Sequence, residues 1–295
     1  MSTLRELKGR IGSVTSNEKI TGAMKMISSA KMHRAEADLK RLLPFRQQIE
    51  TIIGNLLSAD AEFSSPLTEA AADVRRVTFV VLGSDDGLCG GYNINIFKGL
   101  MAAIADARSA WGDDVEITIV PIGRKLTKAS RKLNDPKISV RTLTDANSKT
   151  GGEGVRLFTD ALCDLFTHGD TDRVDLLYMN FQSVSRQRLR REQYLPVDPS
   201  TLTSEGVKAI CRPCIFEPDA PTIFRSVLPM YLLAVMQEVF TENRASEQAA
   251  RIMAMQSAND NAKSLLEQLQ LEYNKLRQQS ITTELLDILG GQVKN

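Results

Sequence analysis

The residues with the strongest claim to chemistry lie in one stretch, Gly83-Ser84-Asp85-Asp86-Gly87-Leu88-Cys89-Gly90-Gly91-Tyr92-Asn93. It follows a β-branched apolar run, Val77 to Leu82, and precedes a segment with helical periodicity from Ile94 to Ala110. A strand–loop–helix of this kind offers backbone N–H groups and a helix N-terminus to a phosphate. The residue types argue the other way. The stretch has neither the P-loop spacing G-x-x-x-x-G-K-[ST] nor the dinucleotide spacing G-x-G-x-x-G, and Asp85 and Asp86 would repel phosphate. It reads as a tight structural turn packed against a neighbour, with Gly87 and Gly91 serving the turn.

Cys211-Arg212-Pro213-Cys214 is a C-x-x-C pair. A zinc site needs four ligands, and Cys89 and Cys163 stand far upstream and unpaired in sequence. Nor does the pair open a thioredoxin-like helix, so it reads as two ordinary cysteines. His33 and His168 are isolated, and no Ser-His-Asp or Cys-His constellation is suggested by position. The expectation is a chain with no catalytic residues, no cofactor and no metal.

The composition narrows the rest. The chain has 295 residues, 37 Lys+Arg against 36 Asp+Glu, and 5% aromatics with Trp111 the single tryptophan. A charge this close to balance argues against a nucleic-acid partner, and few aromatics argue against a base-stacking surface. No apolar run is expected to approach the roughly 18 residues of a membrane span, no secretory signal is visible, and the low cysteine density points to a reducing compartment. Charge is unevenly placed, however. Residues 1–46 hold ten basic and four acidic residues, net +6, whereas 236–295 hold six basic and eight acidic, net −2. The two ends are complementary, which favours their pairing.

The elements that must position these residues follow from periodicity. Leu4, Leu7, Ile11 and Val14 have the 3-4 spacing of a coiled-coil seam, which slips near Ser16-Asn17-Glu18 and resumes at Ile20, Met24 and Ile27. The helix continues through Ile49 to Leu57, with a kink expected at Pro44. Strands are expected at 77–82, 115–121, 138–143 and 174–184, alternating with helices at 94–110, 122–133 and 154–167, and 188–195 as an antiparallel edge. From Pro229 to Gly290 neither Pro nor Gly occurs. That is a helix of about sixty residues, roughly 90 Å, with Gly290-Gly291 as its stop. The expected fold is α/β: a long antiparallel two-helix coiled coil formed by the chain ends, with an inserted Rossmann-like α/β domain. The expected parts are 1–60 and 215–295 for the helices and 75–205 for the α/β domain. If the carboxyl helix outruns its partner, Ile281, Leu285, Ile288 and Leu289 face outward and call for an external sleeve.

Three motifs resemble one family. Thr21-Gly22-Ala23-Met24-Lys25-Met26-Ile27-Ser28-Ser29-Ala30-Lys31 resembles the amino-terminal signature of the gamma subunit of F-type ATP synthase. Ser84 to Asn93 is similar to its internal glycine-rich motif. Ala245 to Met255, Ala258 to Ala262, Tyr273-Asn274-Lys275, Arg277-Gln278 and Ser280 to Leu285 are similar to its carboxyl-terminal signature. The sequence departs from the family at Asp86, where Arg is usual, and lacks a recognisable plant-type redox insert.

The resemblance implies a central rotor stalk without a reaction centre, lying inside three alpha and three beta subunits. It implies an epsilon subunit and a membrane c ring as further partners, and a peripheral place on the cytoplasmic face of the bacterial cell membrane. By motif match, Met24, Lys25, Arg251, Gln278, Thr282, Glu284 and Asp287 would face the alpha/beta sleeve. Two other classes are an α/β enzyme with helical oligomerisation arms and a passive coiled-coil adaptor at a membrane.

Overall fold

The computed structural model describes residues 3–57, 63–198, 202 and 216–292, with the side chains of 287 and 289–292 outside the description. Among the described residues ten elements follow in chain order: α1 (Leu4–Leu57), β1 (Arg76–Leu82), α2 (Tyr92–Trp111), β2 (Glu116–Ile122), α3 (Arg124–Ser130), β3 (Ile138–Val140), α4 (Gly152–Thr167), β4 (Arg173–Phe181), β5 (Gln187–Leu195) and α5 (Ala220–Gln292). They form two compact units, one from Met1–Ser28 with Arg251–Asn295 and one from Ser29–Ala250. The division falls inside both long helices.

In the central unit the sheet order is β3-β2-β1-β4-β5. β1 pairs in parallel with β2 and β4, and β2 with β3. β5 runs antiparallel to β4 along the edge, as the sequence led us to expect. The strand β1 is apolar on both sides because both faces are covered. Val77, Phe79 and Val81 pack on the face carrying α2, with Ile96, Leu100 and Leu126. Val80 and Leu82 pack on the other face, with Phe158 and Leu162 of α4, Ile53 and Leu56 of α1, and Phe224, Leu232 and Phe240 of α5. The helix α4 presents Val155, Phe158, Thr159, Leu162 and Phe166 inward, a 3-4 stripe that only a helix gathers. The Phe158 and Phe240 rings meet edge-on, centroids 5.8 Å apart. Each such buried side chain contributes about 1.5–3 kcal/mol.

Three expectations change. The helix α5 begins at Ala220, with Pro229 inside it rather than at its start. Asp219 caps it, its carboxylate accepting from the Thr222 N–H at 2.8 Å and the Thr222 hydroxyl at 2.9 Å. Its far end runs through Gly290-Gly291 to Gln292, so the glycine pair is not a stop. Finally, α5 does contain one stretch long and apolar enough to cross a membrane by length and composition. Leu228, Leu232, Met236 and Phe240 of this helix are buried against the sheet, so core packing accounts for that greasiness. The helix α1 is unbroken through Pro44.

In the chain-end unit the two segments pair antiparallel. Lys25 Nζ donates to Gln256 Oε1, and Asn259 Nδ2 donates to the Glu18 carbonyl at 2.8 Å and reaches Thr21 Oγ1 at 3.3 Å. As the α1 number falls from 25 to 18, the α5 number rises from 256 to 259. Gly22 lies opposite Asn259, whose Nδ2 would be 3.5 Å from a Cβ there. The small residue allows the two backbones to approach.

Candidate functional site

The glycine-rich loop after β1 occupies the place where a strand–loop–helix would hold a phosphate. Here it is filled by the chain's own side chains. Asp85 is buried, 7% exposed. Its Oδ1 accepts the backbone N–H of Arg124, the first residue of α3, at 3.0 Å, and its Oδ2 accepts the Ser148 hydroxyl at 2.8 Å and N–H at 3.2 Å. A carboxylate thus sits at the α3 N-terminus as a phosphate would, satisfying an otherwise orphan donor. Asp86 lies outside it, held by Arg124 at 3.0 Å and Lys149 at 3.2 Å. The two carboxylates expected to repel a phosphate are thus both engaged by the chain's own donors.

The loop's backbone is equally occupied. Ser84 N–H donates to Asn93 Oδ1 at 3.1 Å, Asn93 Nδ2 to Ser84 Oγ at 2.7 Å, and Ser84 Oγ to the Asp86 carbonyl at 2.8 Å. Asn243 of α5 donates to the Gly83 carbonyl at 3.0 Å. The conformational demand on glycine falls elsewhere than expected. A Cβ at Gly87 or Gly91 would meet its neighbours at an ordinary 3.7 Å, whereas at Gly123, φ +100°, it would lie 2.9 Å from the Ser84 backbone. Within the loop the positive φ values are at Leu88, 63°, and Gly90, 58°.

The other candidate nucleophiles and ligands disperse. Burial, with Asp160 and Asp164 nearby, pushes the Cys163 thiol up to about 12, where no thiolate forms at neutral pH. Cys89 is buried beside Asn93, 3.4 Å from its Nδ2. His168 ends α4 with Nδ1 2.6 Å from the Asp164 carbonyl, and His33 lies exposed 3.6 Å from Glu36. Among the described residues no group of three or more His, Cys, Asp and Glu could hold a metal. Cys211 and Cys214 lie outside the described residues.

The residues singled out by motif fall in two places. Met24 is half-buried, Lys25 is tied to Gln256, and Arg251 is buried at 6% exposure. Gln278, Thr282 and Glu284 are exposed, with the Thr282 hydroxyl donating to the Gln278 carbonyl at 2.9 Å. Asp287 lies in α5, its side chain outside the described residues. Carried back to Leu4 at equal rise, the pairing register reaches the neighbourhood of Leu276. The helix beyond has no α1 residue opposite, and there Ile281, Leu285, Leu286 and Ile288 are 49%, 55%, 62% and 62% exposed. Leu289 lies where its side chain is not described. Tyr92 lies in the stretch singled out from the sequence, but local spacing gave no warning of its partner Asn243, nor of Arg124 or Ser148, which close the loop.

Fold and contacts define a class: chain ends paired as antiparallel helices and, inserted between them in sequence, a five-stranded α/β sheet. A family model described as ATP synthase matches residues 3–293. The ATP synthase gamma chain of Phocaeicola vulgatus is 41% identical over 293 residues, 99% of this chain and 100% of that one. The ATP synthase gamma chain of Polynucleobacter asymbioticus is 34% identical, covering 99% of each. The chain belongs to the ATP synthase gamma-chain family. Among solved structures, a chain of the Euglena gracilis mitochondrial ATP synthase OSCP/F1/c-ring assembly shares the fold at TM-score 0.66 and 19% identity, covering 98% of this chain and 93% of that one. A chain of the Tetrahymena thermophila central stalk and c ring does so at 0.56 and 23%, covering 81% and 99%.

Proposed function

We propose that this chain is the central rotor stalk of an F-type ATP synthase and carries no reaction centre of its own. Its paired ends would lie within three alpha and three beta subunits, and its lower part would stand with an epsilon subunit on a membrane c ring. This places it peripherally at the cytoplasmic face of a bacterial cell membrane. On this reading 1–60 and 215–295 are the rotor helices and 75–205 the α/β domain. Ion flow turns the ring, the stalk turns with it, and its asymmetry drives each beta site through its binding changes. One charge crossing 100 mV supplies about 2.3 kcal/mol, so several must be pooled per ATP. Family membership supports this reading, and so does the occupied phosphate position. The observation that carries it is the unpartnered end of α5, where Ile281, Leu285, Leu286 and Ile288 stand exposed. A contiguous apolar surface of that kind calls for a surrounding partner.

Met24, Lys25, Gln278, Thr282, Glu284 and Asp287 are then the residues that face the sleeve, and Arg251, 6% exposed, would lie just beneath that surface. Met24→Lys would set a second cation beside Lys25 against that sleeve. In the assembled complex the ions pumped per ATP hydrolysed should fall while hydrolysis continues. An unchanged ratio would refute the assignment.

A further inference from the structure

A basic cluster on α3 and the turn after it is one the rotor reading leaves unused. From Arg124 to Lys132 there are five basic residues, Arg124, Lys125, Lys128, Arg131 and Lys132, and no acid, in a chain whose net charge is +1. Arg124 is engaged by Asp86. Lys125, Lys128 and Lys132 are exposed, and among the described residues none of the three forms an ion pair. Their spacing brings them to one side of α3 and the turn that follows it. Together with Phe97 of α2, Ala129 and Leu133 they line a groove of about 410 Å³. Phe97 and Leu133 are half-buried hydrophobics. One turn before Phe97 on α2, Ile94 is 60% exposed. The groove therefore has a greasy floor and a cationic rim whose three lysines have no carboxylate within ion-pair distance among the described residues.

We propose that this groove between α2 and α3 docks an acidic peptide segment of a partner protein, with an apolar side chain set on Phe97 and Leu133 and flanking carboxylates on Lys125, Lys128 and Lys132. The neighbouring lysines repel one another, and carboxylates between them remove that cost. The half-buried placement of Phe97 and Leu133 among the three lysines favours a peptide over an anionic bilayer. An apolar floor recessed between cations admits a side chain, whereas a lipid surface would meet the rim alone. Rim charges of this kind steer and select a partner more than they add raw affinity. The inference shares the rotor reading's assumption that the chain works within an assembly, but it is tested on a different readout.

The test uses the complex purified with this chain and a water-soluble carbodiimide. The reagent joins a lysine Nζ to a contacting carboxylate as an amide, taking up the lost water itself as a urea. Mass-spectrometric mapping should find Lys125, Lys128 or Lys132 joined to Asp or Glu of another polypeptide. The triple variant Lys125→Glu, Lys128→Glu, Lys132→Glu should lower retention of that polypeptide at least tenfold at moderate salt. The corresponding triple Arg variant should retain it but lose the crosslink. Crosslinks only to this chain's own carboxylates, or none, would overturn the proposal. So would protection of the three lysines from acetylation by vesicles of phosphatidylcholine with phosphatidylserine but by no protein. The rotor reading fails on the ion-to-ATP ratio of Met24→Lys, and the docking groove fails on the crosslink map.

Discussion

The Tyr92 hydroxyl lies 2.7 Å from Asn243 Oδ1 and 3.0 Å from the Asn243 carbonyl, and both residues are buried. Tyr92 opens α2 at the end of the glycine-rich loop, and Asn243 returns a hydrogen bond to Gly83 at the loop's start. One α5 side chain therefore clamps both ends of the loop.

Removing the clamp's donor leaves buried acceptors without it. Tyr92→Phe is expected to cost about 1–3 kcal/mol, because the desolvation of an unmade hydrogen bond is not recovered. Chemical denaturation of the full chain measures this. Asn95→Ala, at an exposed position of the same helix, should stay within about 0.5 kcal/mol of the parent. A Tyr92→Phe loss no larger than that control would mean that the contact holds nothing.

How much of this was legible beforehand depends on sequence distance. Val77 to Leu82 announced a doubly covered strand through its own residue types, and Arg188 to Leu195 was expected as an antiparallel edge. The start of α5 was legible to within a few residues: Asp219 followed by Ala220-Pro221-Thr222 is a capping residue with a proline in the first turn, a helix-opening signal. Pro229 looked like a boundary because proline costs a helix about 3 kcal/mol in isolation, yet the burial of Phe224, Leu228 and Leu232 outweighs it. The occupied phosphate position was half legible. The carboxylates of Asp85 and Asp86 were visible as repulsive, but their partners Arg124 and Ser148 lie 39 and 63 residues from Asp85. No local spacing reports such pairings.

Asp175 carries the sheet's charged junction. It is 0% exposed, with Arg173 Nε at 2.8 Å and Arg191 Nη2 at 2.8 Å. Arg173 stacks over Trp111 at 5.1 Å and Arg191 over Phe79 at 5.3 Å, so the two cations cannot leave without uncovering rings. Asp175→Asn keeps the shape and removes the charge. We expect a loss of about 3 kcal/mol, the lower end for a broken buried pair, since both arginines keep some contact with water. Asp73→Asn, whose ion pair with Arg75 is exposed on both sides, should change the unfolding midpoint little.

The last prediction concerns pH. Glu242 of α5 is 6% exposed, and both its oxygens accept from Asn180 Nδ2 of β4, at 2.8 and 2.9 Å. Burial pushes its carboxyl from an ordinary 4.5 up to about 7; Glu238 and Glu192 add to the rise, while Asn180 and Arg190 oppose it. The folded chain therefore holds a proton between pH 4.5 and 7 that the unfolded chain has released, and folding stability falls as pH rises through that window. The carboxylates held below their ordinary value, Asp172 foremost for its burial, act in the opposite sense, but only at more acid pH. Glu242→Gln keeps an acceptor for Asn180 and cannot ionise. Between pH 5 and 8 the parent's denaturation midpoint should drop relative to this variant by an amount equivalent to roughly 3 kcal/mol, with the variant the more stable at pH 8. Parallel pH profiles for the two chains would show that Glu242 titrates in the folded chain as it does in the unfolded one.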